Sequence, residues 1–498
     1  MIENLLFGFK QILTLSSFIG LLCGSAAGYF IGAMPGLTPT IGIALLIPFT
    51  YSMEPVPAIV MLVSLYMAAE YGGGITAILI NTPGTPAAAA TALDGYPLAR
   101  KGQAAKALGT SIIASAIGAL VSTILMILFA TPLANITIRF GSPEYFCLAI
   151  MGLSVVAGLS SKQIAKGLIT VAFAILITTI GIDPITGSFR YCFTYNFMSG
   201  IPLVPAMIGL FAVSECFVLM SKKGAASDTI SKVDGNLPTI KEMISCRMTI
   251  IKGSIIGFIV GMLPAAGANV ACWVSYNSAR NSSKEKEKFG HGSLEGIAAA
   301  ESANNSAVCG ALVPLLTMGI PGSSATAVLI GALTIQGVTA GPLLFANNPE
   351  IPYSIFASLL LAVPLMLMMG LLGSRLFSLV TLVPNHILST VVLGTAILGS
   401  YSINGNMFGV WTAFIFGIIG YMLRLAKFPL PPFVLALVLG QMCESNFRKS
   451  LLMGGGKLNI FVTRPYAVII LFITLIMFTG PFIKSAYMEK RKNKNEAS

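Results

Sequence analysis

The chain has 498 residues, of which 10% are charged and 55% hydrophobic, with a mean hydropathy of +0.85 and a formal net charge of +12. A soluble domain carries about 25% charged residues, so this composition excludes a chain that presents its whole surface to water and predicts an all-α, polytopic membrane protein. The excess cations sit in short loops between apolar runs, which reads as membrane topology and not as a nucleic-acid-binding face.

Taken in chain order, the first apolar run, LSSFIGLLCGSAAGYFIGAM, follows a single cation, Lys10, and outlasts the apolar core of a cleaved signal. It is therefore read as a membrane span. Seven crossings are expected before the middle of the chain, at 12–33, 38–53, 56–71, 107–131, 143–160, 163–181 and 200–220, each compared with the about 20 residues that a bilayer requires. A Pro-Gly region at 73–93 is set apart from these as a re-entrant hairpin. The longest polar stretch, SKKGAASDTISKVDGNLPTIKEMISCRM, then separates a first membrane repeat (1–225) from a second (249–498), with 226–248 as the linker. The second repeat contains its own Pro-Gly region at about 307–340. The total expected is about 12–15 transmembrane helices.

The two halves match internally. GSAAGYFIGAMP (24–35) aligns with GSIIGFIVGMLP (253–264), placing Gly24, Gly28, Gly32 and Pro35 on Gly253, Gly257, Gly261 and Pro264. A second match follows in the same order, Ala68-Ala69-Glu70 with the break after it against Ala299-Ala300-Glu301 with its break. The glycine ladders read as surfaces for close helix packing. An odd number of crossings between repeats gives them inverted topology, a common transporter plan. With the N-terminus outside, Arg100, Lys101, Lys106, Lys162, Lys166, Lys222 and Lys223 fall inside, as does the C-terminal EKRKNKNEAS, whereas Arg448, Lys449, Lys457 and Arg464 fall outside, against the rule.

The candidate site is the pair of breaks. Inside a bilayer an interrupted helix survives only where protein or a water-filled cavity surrounds it. Asn81-Thr82-Pro83-Gly84-Thr85 interrupts the first half, and Gly319-Ile320-Pro321-Gly322-Ser323-Ser324 interrupts the second. Thr82 or Thr85, and Ser323 or Ser324, are placed to cap the helices that follow. Two such helix starts aimed at one point bind an anion through N–H groups and hydroxyls, with no lysine or arginine needed. Asn81, Thr82, Pro83, Gly84, Thr85, Gly319, Pro321, Gly322, Ser323 and Ser324 are therefore the expected substrate-binding set.

Polar residues beside the breaks suggest a coupling ion: Thr76, Ser302, Asn304 and Asn305 offer hard oxygens suited to Na⁺. Glu70 and Glu301 cost about 2.5–3.5 kcal/mol each in mid-membrane, so they are expected either to relay protons, to hold a cation or to sit at helix ends. Asp94 reads as a turn cap or a partner of Arg100. No phosphate loop, GxSxG, HExxH or Cys–His pairing occurs. Enzyme activity and cofactors are therefore not expected, nor is any metal beyond Na⁺. Energy is expected from a Na⁺ or H⁺ gradient, and the alternative is a passive organic-anion channel.

YGGGITAILINTPGTPAAAATALDGYPLARKGQAAKALG, ESANNSAVCGALVPLLTMGIPGSSATAVLIGALTIQGVTAGPLLF and the early PGLTPTIGIALLIPFTY resemble the signature regions of the large membrane subunit of tripartite tricarboxylate transporters, the TctA family. The resemblance covers most of the chain. It implies a multi-pass protein of the bacterial inner membrane that works with a small membrane subunit and a periplasmic solute-binding protein. It implies uptake of carboxylates such as citrate by symport with Na⁺ or H⁺.

Overall fold

The computed structural model describes residues 2–34, 36–159, 164–221, 236–264, 266–378 and 383–479. Pro35, Lys162, Lys222, Lys223, the first part of the polar linker and the C-terminal basic tail lie outside these residues. The chain begins with α1 (Ile2–Ile12), α2 (Leu15–Ala33), α3 (Pro39–Thr50), α4 (Pro55–Ile80), α5 (Ala89–Arg100) and α6 (Ala104–Thr137). It continues with α7 (Ser142–Leu159), α8 (Ile164–Thr178), a two-stranded hairpin of β1 (Gly181–Ile182) and β2 (Phe189–Arg190), then α9 (Leu203–Ile208), a π-helical turn and α10 (Ser214–Ser221). Next come α11 (Ile240–Ser245), α12 (Arg247–Gly261), α13 (Gly267–Ser282), α14 (Leu294–Met318), α15 (Ser324–Ile335) and α16 (Leu344–Asn347). The chain closes with α17 (Glu350–Ser378), α18 (Asn385–Asn404), α19 (Met407–Leu425), α20 (Leu430–Met453), α21 (Ile460–Thr463) and α22 (Pro465–Thr479). Among the described residues, seven helical stretches are long and apolar enough to cross a membrane. The protein is a polytopic all-α membrane protein.

Three expectations change. α3 has 12 residues, about 18 Å at 1.5 Å per residue, too short for the crossing expected at 38–53. α4 runs unbroken through Gly72-Gly73-Gly74 to Ile80, so the first break starts at Asn81 and not at 73. The chain beyond the break is also no hairpin. Thr85 lies against Gly73, Ala88 and Ala92 against Ala77, and Gly95 against Ile78. The chain steps back along α4 and resumes in the same direction.

Two compact units are present, one formed by 1–137 with 204–421 and the other by 138–203 with 422–498. In the second unit, Phe146 packs between Phe447 and Phe461, and Gly440 lies against Thr178. Arg448 donates to Asp183 at 2.6 Å, Arg190 to Glu444, and Arg464 to the buried Glu144 at 2.6 Å. The Arg448 guanidinium holds the Asp183 carboxyl well below the usual carboxylate range. This pairing explains how Arg448 and Arg464, which defied the charge rule, are accommodated.

The first unit is built on the two glycine ladders. A Cβ on Gly24, Gly28 or Gly32 would overlap the carbonyl oxygen of Met61, Leu65 or Ala69 in turn, so α2 lies parallel to α4 with the backbones touching. Gly253, Gly257 and Gly261 of α12 meet Ala299, Ala303 and Ala307 of α14 in the same ascending order. Small residues four apart leave a groove in which one helix backbone can rest on another.

These contacts also fix how the halves correspond. Met61, Leu65 and Ala69 stand where Ala299, Ala303 and Ala307 stand, and the same register carries Asn81 onto Gly319, Gly84 onto Gly322 and Thr85 onto Ser323. Ala68-Ala69-Glu70 and Ala299-Ala300-Glu301 are therefore not equivalent. They are about two helical turns out of register, and the matching triplets mislead.

Valine at Gly24 or Gly257 must push backbone from backbone and is expected to destabilise the purified chain by about 3 kcal/mol or more. A methyl group on Gly394 of α18 would meet no atom within 4 Å, so Gly394→Ala should leave stability unchanged or raise it by up to about 1 kcal/mol. Thermal unfolding in detergent measures both.

Candidate anion-binding site

Each break rests on the end of its own ladder. Gly84 sits so close to the Gly32 carbonyl that no Cβ fits between them, and its N–H donates to Gly73 O at 3.2 Å. A Cβ on Gly322 would lie 2.8 Å from Gly261 O and 2.7 Å from Ala311 Cα. Asn81 ends α4 in a left-handed conformation (φ 53°), and Gly319 ends α14 in the same way (φ 72°), the usual close of a helix whose last carbonyls need a partner.

The two restarts differ. Ser323 caps α15 through a reciprocal pair with Thr326: Thr326 N donates to Ser323 Oγ at 3.2 Å and Ser323 N to Thr326 Oγ1 at 2.8 Å. This leaves the next N–H groups of the first turn without helical acceptors. In the first break, Ala88 N donates to the backbone oxygen and the Oγ1 of Thr85, and Ala89 and Ala90 donate to Pro86 and Ala87. That tight lead-in consumes its own donors. Free N–H groups are therefore concentrated at Ser324 and Ala325, beside the Ser323 cap.

No hydrogen bond among the described residues joins one break to the other; α4 links them. Tyr66 OH lies 3.0 Å from Ser323 Oγ, while Gly73 carries Thr85. Tyr66 and Gly73 are seven residues apart on one helical face, so the two breaks are separated by about 10 Å along α4. Glu70 shares that face between them.

The expected residues therefore divide. Gly84, Thr85 and Gly322 are buried, and Ser323 and Ser324 are half-buried at the start of α15. Asn81 and Thr82 lie exposed at the tip of α4, where Thr82 N donates to Thr76 O, and Gly319 occupies the equivalent tip of α14, with Pro83 partly and Pro321 fully buried. The ion-site residues are buried but are not gathered into one cage. Thr76 Oγ1 donates to Gly73 O, and Ser302 turns toward Gly253 on α12. Asn304 and Asn305 donate to Glu70 O and Met67 O of α4, each at 3.0 Å, and the Oδ1 of each has no partner.

Neither Glu70 nor Glu301 lies at a helix end. Glu301 is fully buried, accepting from Thr91 Oγ1 at 2.5 Å and from Ser115 Oγ at 2.9 Å. Glu70 Oε2 is buried without a partner. The contacts Gly74–Glu301, Glu70–Asn304 and Met67–Asn305 run in opposite order along the two helices, so α4 and α14 pass antiparallel.

Asp94 is the residue whose role the sequence reading missed. Its Oδ1 accepts from the backbone N–H groups of Gly290, Gly292 and Ser293 at 2.8–2.9 Å, and its Oδ2 from Tyr276 OH at 2.9 Å. Gly290 and Gly292 have φ of 86° and 106°, open only to glycine, which lets successive N–H groups curl round one oxygen. Asp94 thus ties the middle of α5 to the loop that leads into α14. The Gly-His-Gly-Ser spacing was the available signal.

A polytopic helical membrane protein with two register-matched breaks bracketing a buried polar face is thereby defined. The chain belongs to the tripartite tricarboxylate transporter TctA family, whose family description matches residues 18–435. It is a transporter component of a kind that functions with other subunits, and this is not an enzyme family. It is 37% identical over 478 residues to the "Uncharacterized 52.8 kDa protein in TAR-I ttuC' 3'region" of Agrobacterium vitis, covering 95% of each chain. It is 35% identical over 220 residues to the "Uncharacterized protein in TAR-II ttuC' 3'region" of the same organism, covering 44% of this chain and 91% of that one. No solved structure matches.

Asp94→Ala leaves three N–H groups, one buried and two half-buried, and a buried phenol unpartnered. It is expected to destabilise the chain by at least about 3 kcal/mol, read as a fall in the thermal midpoint in detergent that Arg100→Ala does not reproduce.

Proposed function

We propose that the chain is the ion-coupled secondary transporter subunit of a bacterial inner-membrane system. It would import tricarboxylates or related carboxylates, taking them from a periplasmic binding protein beside a small membrane subunit. The observation that carries this reading is the pair of breaks, seated on equivalent glycines and about 10 Å apart along one helical face. That span suits a small polycarboxylate held at its two ends, with Ser323, Ser324 and Tyr66 as donors at one end and Thr85 at the other. The antiparallel passage of the corresponding helices α4 and α14 supports inverted repeats, the arrangement that alternating access uses. Na⁺ or H⁺ supplies the driving force, and a saturable flux separates this reading from a passive channel.

The test is uptake of radiolabelled citrate and malate into proteoliposomes that hold the chain and its small subunit, with binding protein supplied. Tyr66→Phe and Ser323→Ala are each expected to raise the half-saturating concentration about tenfold or more, the effect of losing one hydrogen bond to a charged ligand. Asn81→Ala and Thr82→Ala should change it less than about twofold. Equal losses at all four positions would move the anion away from the gap, and non-saturating flux would favour a channel.

A further inference from the structure

We propose that Glu70 is the proton-coupling residue of this transporter, a carboxyl that must be neutral for the anion to enter the gap between the two breaks. The proposal rests on the transport reading above and names the coupling ion and its site. Glu70 lies on the face of α4 that carries Tyr66 and Gly73, and hence between Ser323 and Thr85. Its Oε2 is buried with no hydrogen-bond partner. A charged carboxylate there would face an incoming carboxylate across a few ångströms of low-dielectric interior, where like charges repel strongly. A protonated one instead offers an O–H donor.

Packing does not call for a carboxyl at this position. In the register set by the glycine contacts, Glu70 corresponds to Val308 and Glu301 to Val63, both fully buried valines. Thr91, which donates to Glu301, corresponds to Leu329. At each of the two places the frame is satisfied by a valine in one half and departs from its own symmetry to insert a carboxyl in the other.

The surroundings favour a proton. The titratable groups facing Glu70 are Glu301 from α14, Cys272 from α13 and Tyr66 on α4; beyond them Cys309 faces Tyr66, and Tyr71, with Tyr29 of α2 against it, faces Glu301. From α5 and α6 the hydroxyls of Thr91, Ser111 and Ser115 are turned to Glu301. Among the described residues no Lys, Arg or His meets either carboxyl. Two neighbouring buried carboxyls with no cation cannot both ionise, so the pair holds a proton between them. Glu301 has two hydroxyl donors and is the better placed to carry the charge, and Glu70 the proton. Deprotonation of Glu70 returns the negative charge to the gap and expels the anion, which ties release of the two together.

The full chain, reconstituted in liposomes without substrate, is titrated while its protonated-carboxyl infrared absorption is followed. A band is expected that disappears with rising pH, is lost in Glu70→Gln and keeps its midpoint when Na⁺ replaces K⁺. In the second arm, Glu70→Gln, a permanent mimic of the neutral form, is expected to lower accumulation driven by an inward proton gradient at least tenfold and to leave a citrate exchange that no longer varies with pH. The proposal is overturned if Glu70→Gln leaves the band and the accumulation intact. It is equally overturned if Na⁺ displaces the midpoint in the unaltered protein, a comparison that needs no variant. A band that titrates in a chain carrying no carboxylate would refute the transport reading and leave the proton site standing.

Discussion

The contact of bare backbone on bare backbone at the glycine ladders is what the rest of this architecture hangs on. Because Gly32 and Gly261 leave their carbonyls open, the extended segments at Gly84 and Gly322 can come to rest on them. Each break is thereby enclosed by protein at the one place where an interrupted helix would otherwise expose polar backbone to lipid. A methyl group at any rung would separate the helices, and the seat for the break would go with them. The seating of the two breaks is thus a consequence of helix packing and not a separate feature added to it.

α4 does a second job. It forms the first ladder, ends in the first break, and reaches through Tyr66 to Ser323 of the second. α5 completes the exchange from the other side: Ala87 and Ala90 pack among Ala300, Ala303 and Ala307 of α14, and Asp94 closes over the loop that precedes it. The helix after each break thus also packs against the opposite half. A carboxylate bound between the breaks would touch both halves at once, which is the arrangement in which binding can bias how the halves move.

Polarity is distributed unevenly over this near-symmetric frame. The second restart keeps its N–H groups free through a side-chain cap, whereas the first folds them back on its own carbonyls. Each half supplies one buried carboxyl where the other supplies a valine, Glu70 answering to Val308 and Glu301 to Val63. Alanine and glycine make the ladder contacts, and the unpartnered buried oxygens of Glu70, Asn304 and Asn305 stand apart from what that packing needs.

Membrane character, the two breaks and the glycine ladders were legible in the sequence, because each depends on local chemistry: apolar length, proline and glycine at an interruption, small residues four apart. The serine cap at Ser323 belongs with them, since capping is decided within one turn. Register was not legible. Ala68-Ala69-Glu70 and Ala299-Ala300-Glu301 look alike as strings, yet helix-to-helix contact sets them about two turns apart. Nor could spacing show that Asp94 reaches a loop nearly two hundred residues away, or that Asn81 faces outward while Thr85 faces in. The sequence alone determined that two helices must be interrupted at proline and glycine; which side chains meet across the interruptions was decided only by how closely two backbones can approach, a property of the folded pair and of neither helix by itself.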